Sequence, residues 1–388
     1  MSEAYLGWCR AYKSLISATS KGWLWFDRLW NVVFPNQYNP NYYLGGISNL
    51  FLWVCMLTGI ILFAYYVPNL QNAWATVNYL TGAEVPYGNV IRALHRYGAD
   101  GMMIGAILHG LRVWWTDRYR KFRALAWMSG VILISFTLVI GMSGYLLVWD
   151  QRSYLLEQRI FQMLLSVDKL IPGLGSSLAN FFQGGSLITD FTLTRFLFFH
   201  LGLPFAMFFF LWVHYLRINR PVTYPPLLVN LILLGMVFLA SGLLSFRSGD
   251  PAVVGQIPTS YPVDWLYMWP FVFVDWLTPG GVLLLLVALF LALYTQPWWW
   301  REPYRNVPIV IDEKCTGCRL CEIDCHANAI YMIPTSGKKK SRPLLARIHD
   351  ARCAECGICV GACPFQALEL PLLRDRTIEE RITSLCQK

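Results

Sequence analysis

Six long apolar stretches constrain the fold of this chain more than any other feature. They cover roughly residues 45–67, 90–112, 124–148, 192–216, 225–246 and 279–299. Each is long enough to cross the ~30 Å hydrocarbon core of a bilayer as a helix. Of the 388 residues, 56% are hydrophobic and only 14% are charged, a balance unlike that of a soluble globular protein. The sequence therefore predicts an all-α polytopic membrane protein with six transmembrane helices and a soluble appendage.

Positive charge marks one set of the connections between these stretches. Lys and Arg are concentrated before the first stretch, between the second and third, and between the fourth and fifth. The positive-inside rule then places both termini in the cytoplasm, in the membrane of a bacterium or archaeon. Residues 1–44 are expected to form an amphipathic segment on that membrane surface. Because topology explains the net charge of +9, we predict no nucleic-acid partner.

Four of the six histidines lie inside apolar stretches, two on the second helix and two on the fourth. Fourteen residues at ~100° per residue return to within ~40° of the same helix face and climb ~21 Å. The two helices run parallel, so the pattern predicts His95 with His200 toward the outside and His109 with His214 toward the cytoplasm. Paired imidazoles are the axial ligands of electron-transfer haems, whereas a lone histidine would more often hydrogen-bond a neighbouring helix. Glycines at similar spacing indicate close approach of flat macrocycles: Gly46, Gly59, Gly130 and Gly144.

Eight of the eleven cysteines form two runs with the spacing C-x2-C-x2-C-x3-C. This spacing is typical of a small α+β ferredoxin-like domain with two 4Fe-4S clusters, in which the fourth cysteine of each run binds the other cluster. It predicts one set of Cys315, Cys318, Cys321 and Cys363 and a second set of Cys353, Cys356, Cys359 and Cys325. Zinc sites and disulfides are the alternatives, but two complete four-cysteine runs exceed what a zinc site uses. The proline usual after the fourth cysteine is present as Pro364 and replaced by His326 in the first run.

The motifs "YYLGGISNLFL", "IRALHRYGADGMMIGAILHGLRV", "GMSGYLLVWDQ" and "TLTRFLFFH" resemble the cytochrome b and cytochrome b6 family of Rieske–cytochrome b complexes. Residues 45–220 are similar to the family's di-haem four-helix domain, and 221–300 to the start of its second half, subunit IV. Residues 301–388, the ferredoxin domain, stand where the family has its next helix. The resemblance implies two b haems on the four histidines, an outer quinol-oxidising pocket, and a quinone pocket or electron exit on the cytoplasmic side.

Several residues depart from the family pattern. Tyr43 stands where b6 proteins carry a cysteine for a covalent haem, so we expect no such haem here. The outer-pocket motif "PEWY" appears as "PVDWLY". We predict Asp264 as its proton-accepting carboxylate, with Trp265 and Tyr267 as pocket wall. Asp150 in "VWDQ" is a second candidate. The structural alternatives are a solvated carboxylate for Asp264 and a helix-end hydrogen bond for Asp150.

Four arginines lie within a turn or two of the predicted haem ligands. Their guanidinium groups are suited to anionic haem propionates, and snorkelling to the membrane interface explains them equally well. They are Arg92, Arg96, Arg112 and Arg195.

The sequence thus predicts a membrane subunit that passes electrons between a quinol pocket, two haems and two cytoplasmic clusters. The expected partners are quinone, an outer Rieske protein or cytochrome c, a cytoplasmic electron donor or acceptor, and a second copy in a homodimeric core. One alternative is a quinone-independent di-haem anchor between soluble redox proteins. Another is a scaffold whose clusters are only structural.

Overall fold

A computed structural model describes most of the chain. The described residues are 22–23, 25–26, 29–35, 38–82, 84–115, 119–120, 123–185, 188–216, 218, 222–244, 246–258, 262–299, 307–325, 327–335, 343–350, 352–353 and 357–371. Most of the predicted amphipathic leader, Cys356, His326 and the basic run at 337–340 lie outside them. The orientation predicted from loop charges also rests partly on residues outside this set.

Helices form most of the described residues up to 299. In chain order they are α1 (Leu44–Tyr65), α2 (Ala73–Thr81), α3 (Gly88–Trp115), α4 (Ala124–Val148), α5 (Gln151–Leu165), α6 (Leu174–Gln183), α7 (Asp190–Tyr215), α8 (Leu227–Leu243), α9 (Trp269–Val272) and α10 (Val274–Thr295). The six apolar stretches correspond to α1, α3, α4, α7, α8 and α10, with boundaries within about five residues of those predicted.

Within the described part of the chain, four helical segments are long and apolar enough to cross a membrane: Leu44–Tyr65, Ala124–Val148, Asp190–Tyr215 and Val274–Trp298. Helix α8 is apolar but has only 17 residues. Helix α3 has 28 residues, enough in length, but its three arginines and two histidines lower its mean hydropathy. The count of six spans therefore stays a prediction for α3 and α8.

The bundle core is built from two helix pairs. Helix α1 packs along α3, helix α4 packs along α7, and α3 also contacts α4 and α8. Buried Phe51 and Leu52 of α1 meet Met102 of α3, Ile140 of α4 and Met207 of α7 in one apolar cluster at the centre. In each pair, a helix that carries two of the glycines predicted beside the haems packs against a helix that carries two histidines. We refer below to the two ends of this bundle as the His95 end and the His109 end.

Short helices that the apolar stretches did not reveal cover the His95 end. Helix α4 ends at Val148 with Trp149 as its C-cap, whose φ of 56° lies in the left-handed region, and α5 begins two residues later at Gln151. Helix α5 is amphipathic and buries Leu156, Phe161 and Met163 against α7, α10 and the loop before α9. An apolar period near 3.6 with frequent polar residues is typical of a surface helix. These segments are therefore too polar to be recognised as membrane spans from the sequence.

Hydrogen bonds between distant segments of the chain attach α8 and the loop after it to the bundle. Asn49 of α1 donates to the Thr223 carbonyl at 3.0 Å, and the Tyr97 hydroxyl of α3 donates to the Leu244 carbonyl at 2.9 Å. Trp74 of α2 donates to the Gly249 carbonyl at 2.9 Å. These bonds fix both ends of α8 and hold the loop that leads to α9 over the His95 end.

The C-terminal domain is a small α+β unit. Strand β1 (Ile309–Val310) pairs antiparallel with β4 (Leu368–Glu369), and β2 (Ile330–Pro334) with β3 (Leu344–Ile348). Helices α11 (Leu320–Asp324) and α12 (Ile358–Gly361) lie within the two cysteine runs. A core that includes Ile330, Ala346 and Leu368 joins them. The predicted class, helical membrane region plus a small strand-containing domain, is confirmed.

Gly317, between two of the cysteines, provides a test of this domain's packing. Its φ is +72°, and a Cβ there would lie 2.5 Å from the Leu344 carbonyl oxygen. We expect Gly317→Ala to destabilise the domain by about 2 kcal/mol or more, because it adds left-handed strain to a backbone clash. The measurement is amide hydrogen exchange of the full chain, with faster exchange expected in residues 344–348.

Gly361→Ala is the matched control, since Gly361 is helical and its Cβ would meet open space. Equal exchange rates at 344–348 in the two variants would contradict the prediction.

Candidate functional site

The four intramembrane histidines form two facing pairs, as their spacing predicts. The ring centres of His95 and His200 are 6.3 Å apart, and those of His109 and His214 are also 6.3 Å apart. Two iron–nitrogen bonds of ~2.0 Å, with ~1.1 Å from each nitrogen to its ring centre, give about 6.2 Å. The separation of both pairs therefore fits one metal held between two imidazoles.

Hydrogen bonds fix which ring nitrogen faces the partner histidine. Nδ1 of His95 lies 3.1 Å from the Cys55 carbonyl, and Nδ1 of His200 lies 3.0 Å from the Ile140 carbonyl. His214 makes the equivalent bond to the Ala126 carbonyl. A carbonyl only accepts, so each Nδ1 carries the proton and Nε2 keeps a free lone pair. This is the tautomer that a metal-binding imidazole requires.

Hydroxyl groups of the glycine-bearing helices support three of these rings. The side chains of Thr58, Ser143 and Ser129 lie 3.1, 3.0 and 3.2 Å from Nδ1 of His95, His200 and His214, respectively. Each hydroxyl also donates to a carbonyl of its own helix. Helices α1 and α4 therefore orient the rings that α3 and α7 carry.

One glycine stands beside each histidine ring. A Cβ at Gly59 would lie 3.2 Å from Cε1 of His95, and one at Gly144 would lie 3.1 Å from Cε1 of His200. The corresponding distance for Gly130 and His214 is 3.4 Å. These three positions lack a side chain where a flat group between the rings would pass.

The fourth glycine is Gly45, one residue before the predicted Gly46. A Cβ at Gly45 would lie 3.3 Å from Cε1 of His109, whereas Gly46 packs against Tyr224 and Pro225 at the start of α8. The placement of Gly46 beside a haem is therefore corrected. Gly45 and Gly59 are fourteen residues apart. Gly130 and Gly144 have the same spacing, as do the two histidines of α3 and the two of α7, and this repeat could have identified Gly45.

Arginines at the His95 end keep buried donors available. Arg92 is 7% exposed, and its Nη1 has no hydrogen-bond partner among the described residues; the same holds for Nε of Arg96 and of Arg152. All three guanidinium carbons lie 5.4–6.0 Å from the centre of the Phe246 ring. Unpaired buried cationic donors are costly, so this end of the bundle fits an anionic group such as a haem propionate.

The other two arginines bind backbone carbonyls. Arg112 donates to the Asn41 carbonyl and lies 4.8 Å over the Tyr42 ring. Arg195 donates to the Phe181 carbonyl in the last turn of α6, where a cation is favourable. Both arginines therefore join helix ends. The guanidinium of Arg195, a residue of α7, lies against the end of α6 instead of beside His200.

Asp264 lies at the centre of a buried polar cluster at the His95 end. Arg96 and the Tyr145 hydroxyl both donate to its Oδ2, and the Leu266 and Tyr267 amides donate to Oδ1 at 2.7 and 3.3 Å. Its side chain is 12% exposed. The alternative of a solvated interfacial carboxylate is therefore disfavoured.

The two aromatic candidates near Asp264 have different environments. Tyr267 is 1% exposed, and its hydroxyl donates to the Ala99 carbonyl at 2.7 Å. Trp265 is 68% exposed and faces away from the core. Tyr267 belongs to the cluster wall, whereas Trp265 lies on the surface of the described chain.

Asp150 has a structural role in the described chain. Its carboxylate accepts from the Ser153 amide at 3.0 Å as the N-cap of α5 and from the Gly249 amide at 3.1 Å, and it pairs with Arg152 at 3.2 Å. The cap and the loop occupy both oxygens. The helix-end alternative stated from the sequence therefore describes Asp150 better than the catalytic one.

The cysteines surround two cavities in the C-terminal domain, with the predicted crossed sets. One cavity is lined by Cys315, Cys318, Cys321 and Cys363, and the other by Cys325, Cys353 and Cys359. Backbone amides of Ala329 and Ala367 donate to Sγ of Cys325 and Cys363, each at 3.3 Å. Among the described residues, no group of three or more His, Cys, Asp or Glu side chains converges on a point for a single metal ion.

Glu157 on α5 is a buried acid that the sequence did not single out. It is 1% exposed, Oε2 accepts from Gln158 at 2.9 Å, and Oε1 has no partner by distance among the described residues. Burial raises the pKa of Glu157 to about 7, against smaller opposing effects of the Gln158 and Gln183 amides. One glutamate on a polar helix gives no sequence signal for burial, because its exposure depends on how α5 packs.

Comparisons with known proteins match the two parts of the chain separately. A family model described as cytochrome b/b6/petB matches residues 29–221, and one described as a 4Fe-4S dicluster domain matches residues 314–367. Cytochrome b6 of Gloeobacter violaceus is 35% identical over 187 residues, which are 48% of this chain and 85% of that protein. Cytochrome b6 of Mastigocladus laminosus is 36% identical with the same coverage.

A solved structure described as hyperthermophilic respiratory Complex III superimposes with a TM-score of 0.58. The match covers 68% of this chain and 77% of that chain at 20% identity, so it supports the fold alone.

The buried carboxyl of Glu157 gives a testable pH dependence of stability. With a native pKa of about 7 against an ordinary value of 4.5, the native state binds more protons than the unfolded state between these values. Its stability therefore falls as the pH rises through this window. Glu157→Gln should be more stable than the native protein at pH 8. The gain in its free energy of unfolding should be up to about 3 kcal/mol larger at pH 8 than at pH 5. Thermal denaturation in detergent at the two pH values measures this difference.

Glu84→Gln, at an exposed position, is the control. An equal effect of Glu157→Gln at both pH values would show that Glu157 does not titrate in this range.

Proposed function

Because the chain belongs to the cytochrome b/b6 family and ends in a 4Fe-4S domain, we propose that it is the haem- and cluster-bearing subunit of a quinol/quinone oxidoreductase. At the coarser level, it is a membrane electron-transfer subunit. The observation that carries the proposal is the 6.3 Å separation of both histidine pairs, with Nδ1 of His95, His200 and His214 bonded to a carbonyl of the neighbouring helix.

We assign one b haem to His95 and His200 and a second to His109 and His214. When bound, these groups supply reversible one-electron storage near each membrane surface. The chain's own residues orient the imidazoles through carbonyls and hydroxyls and leave glycines where the macrocycles pass. Buried Arg92 and Arg96 would neutralise propionates at the His95 end.

The quinol site is assigned to the His95 end, around Asp264. Quinol oxidation releases protons, and a carboxylate within hydrogen-bond reach is a suitable acceptor. Asp264 is largely buried and lies beside Tyr145 and Tyr267. It also accepts from Arg96, the residue after His95 in the chain. The loop containing Asp264 corresponds in chain order to the family's outer-pocket motif.

The C-terminal cysteines would bind two 4Fe-4S clusters as electron carriers. One cavity is lined by four cysteines and the other by three described cysteines, and each has an equivalent amide–sulfur bond, which supports one cluster in each. With six spans and the predicted orientation, the clusters lie on the cytoplasmic side with the His109–His214 haem. They would connect that haem to a cytoplasmic donor or acceptor.

The proposed assembly contains further subunits. An outer one-electron carrier, a Rieske protein or cytochrome c, would accept the electron of quinol that does not enter this chain. A homodimeric core is proposed by analogy with the family. The second candidate function is the quinone-independent conduit, which uses the same haems and clusters and needs no pocket at Asp264.

The glycine positions provide a test of the haem assignment. Gly144→Leu places a side chain where its Cβ lies 3.1 Å from the His200 ring, so the His95–His200 haem should be lost while the other is kept. We expect the pyridine haemochrome assay to fall from two haems per chain to one. Gly202→Leu on α7, where a Cβ meets open space, is the control and should keep both. Retention of two haems in both variants would contradict the assignment.

A potentiometric titration of the purified complex tests the function and the direction of electron flow. Haem absorbance and cluster paramagnetic resonance are followed with and without a quinol. Quinol should reduce haem, and a quinol-analogue inhibitor should block this reduction. Cluster potentials below those of the haems would assign electron flow from clusters to quinone, and potentials above them the reverse. Haem reduction that is insensitive to both quinol and inhibitor would favour the conduit.

A further inference from the structure

Two carboxylates share one guanidinium at the His95 end. Arg96 donates through Nη1 to Asp100, four residues later on α3, and through Nη2 to Asp264. The side chains of Asp100, Arg96 and Asp264 are only 25%, 17% and 12% exposed. The Tyr145 hydroxyl donates to the Asp264 oxygen that Arg96 also binds. We call these four residues the Arg96 cluster.

Asp100 has no role in the site as predicted from the sequence. It lies on the helix that carries His95 and His109, at a depth where an unpaired carboxylate would be expensive. An Asp four residues after Arg on a helix face is a favourable pair by spacing, but Arg96 already has a partner in Asp264. The second carboxylate therefore calls for a separate explanation.

The charged and titratable groups around the cluster can be counted by element. Helix α1 contributes Cys55, α3 contributes Arg92 and His95, α4 contributes Tyr145, α5 contributes Arg152 with its partner Asp150, and Tyr267 precedes α9. Arg152 is paired with Asp150, and the Tyr267 hydroxyl is bonded to a carbonyl. Within the Arg96 cluster itself, two ionised carboxylates and one guanidinium leave an excess of one negative charge.

This excess favours uptake of one proton by the cluster as a whole. If Asp264 were the sole partner of Arg96, a proton on Asp264 would leave a largely buried guanidinium without an anion, which is strongly unfavourable. With Asp100 present, Arg96 keeps one anionic partner whichever carboxylate is protonated. The cluster then changes from one negative charge to zero, and two like charges near one site favour uptake of one proton.

We propose that Asp100 and Asp264, bridged by Arg96, act as a single proton-accepting unit for quinol oxidation; this rests on the proposed function. Quinol loses two electrons and two protons. One proton goes to the Asp100–Asp264 pair and the other to water on the outer side. The two electrons go to one-electron acceptors, the haem-bearing core and a high-potential carrier in another subunit. Asp264 is the candidate catalytic residue, and Asp100 is a positioning residue that sets its proton affinity.

The pH profile of quinol oxidation by the intact complex tests this role. The rate should fall at low pH, because a pair that already holds its proton accepts no other. In Asp100→Asn, Asp264 faces Arg96 alone and binds a proton less readily. The acidic limb should therefore move to lower pH by about one unit, and the rate at pH 7 should fall about tenfold. Asp100→Glu should restore the native profile. An acidic limb that does not move in Asp100→Asn would overturn the proposal.

Controls separate this inference from folding and from the proposed function. Asp275→Asn removes an exposed carboxylate that pairs with Arg159 at 2.7 Å, and its profile should match the native one. Haem absorbance reports assembly, and Asp100→Ser replaces Asp100→Asn if the latter does not assemble. A native complex that does not oxidise quinol refutes the proposed function; a native complex that does, with superimposable variant profiles, refutes only the role of Asp100.

Infrared difference spectra of the native and variant proteins between pH 5 and pH 8 give a readout independent of turnover. A proton shared across Arg96 predicts a protonated-carboxyl band that is lost in Asp264→Asn and shifted in Asp100→Asn. A band unchanged in Asp100→Asn would contradict the shared proton.

Discussion

The hydrogen bond from Nδ1 of His95, His200 and His214 to a carbonyl of the neighbouring helix is the interaction on which the rest of the structure depends. It turns Nε2 of His95 toward Nε2 of His200, and it requires that α1 lie close enough to α3, and α4 close enough to α7, for ring and backbone to meet. Glycine at the facing positions permits this approach. Tautomer, helix spacing and the gap between the rings are therefore set together.

Much of this core was predictable from the sequence, because it depends on regular spacing. Fourteen residues return to the same helix face, so the positions of the histidine pairs follow from helix geometry alone. The cysteine sets likewise follow from the spacing of the two runs, and the cavities have the predicted linings. Gly45 shows how narrow the margin is: one residue decides whether a glycine meets His109 or the start of α8.

What the sequence did not reveal depends on chain segments that meet far from each other in sequence. The separation between Arg96 and Asp264 is 168 residues, and no spacing rule relates them. The burial of Glu157 depends on how α5 packs beneath α6 and α7, and the roles of Asp150 and Arg195 depend on where helix ends meet. In each case the residue type indicated a polar site, but only the packing specified its partner.

The bonds that hold α8 on the bundle have an evolutionary consequence. The contacts of Asn49 with Thr223, Tyr97 with Leu244, and Asp150 with Gly249 are all noncovalent and lie on either side of the connection between α7 and α8. The docked surface on the α8 side begins at Thr223, within that connection. Gene fission there would leave two polypeptides with complementary faces, and gene fusion beyond α10 could append a carrier domain without disturbing either face.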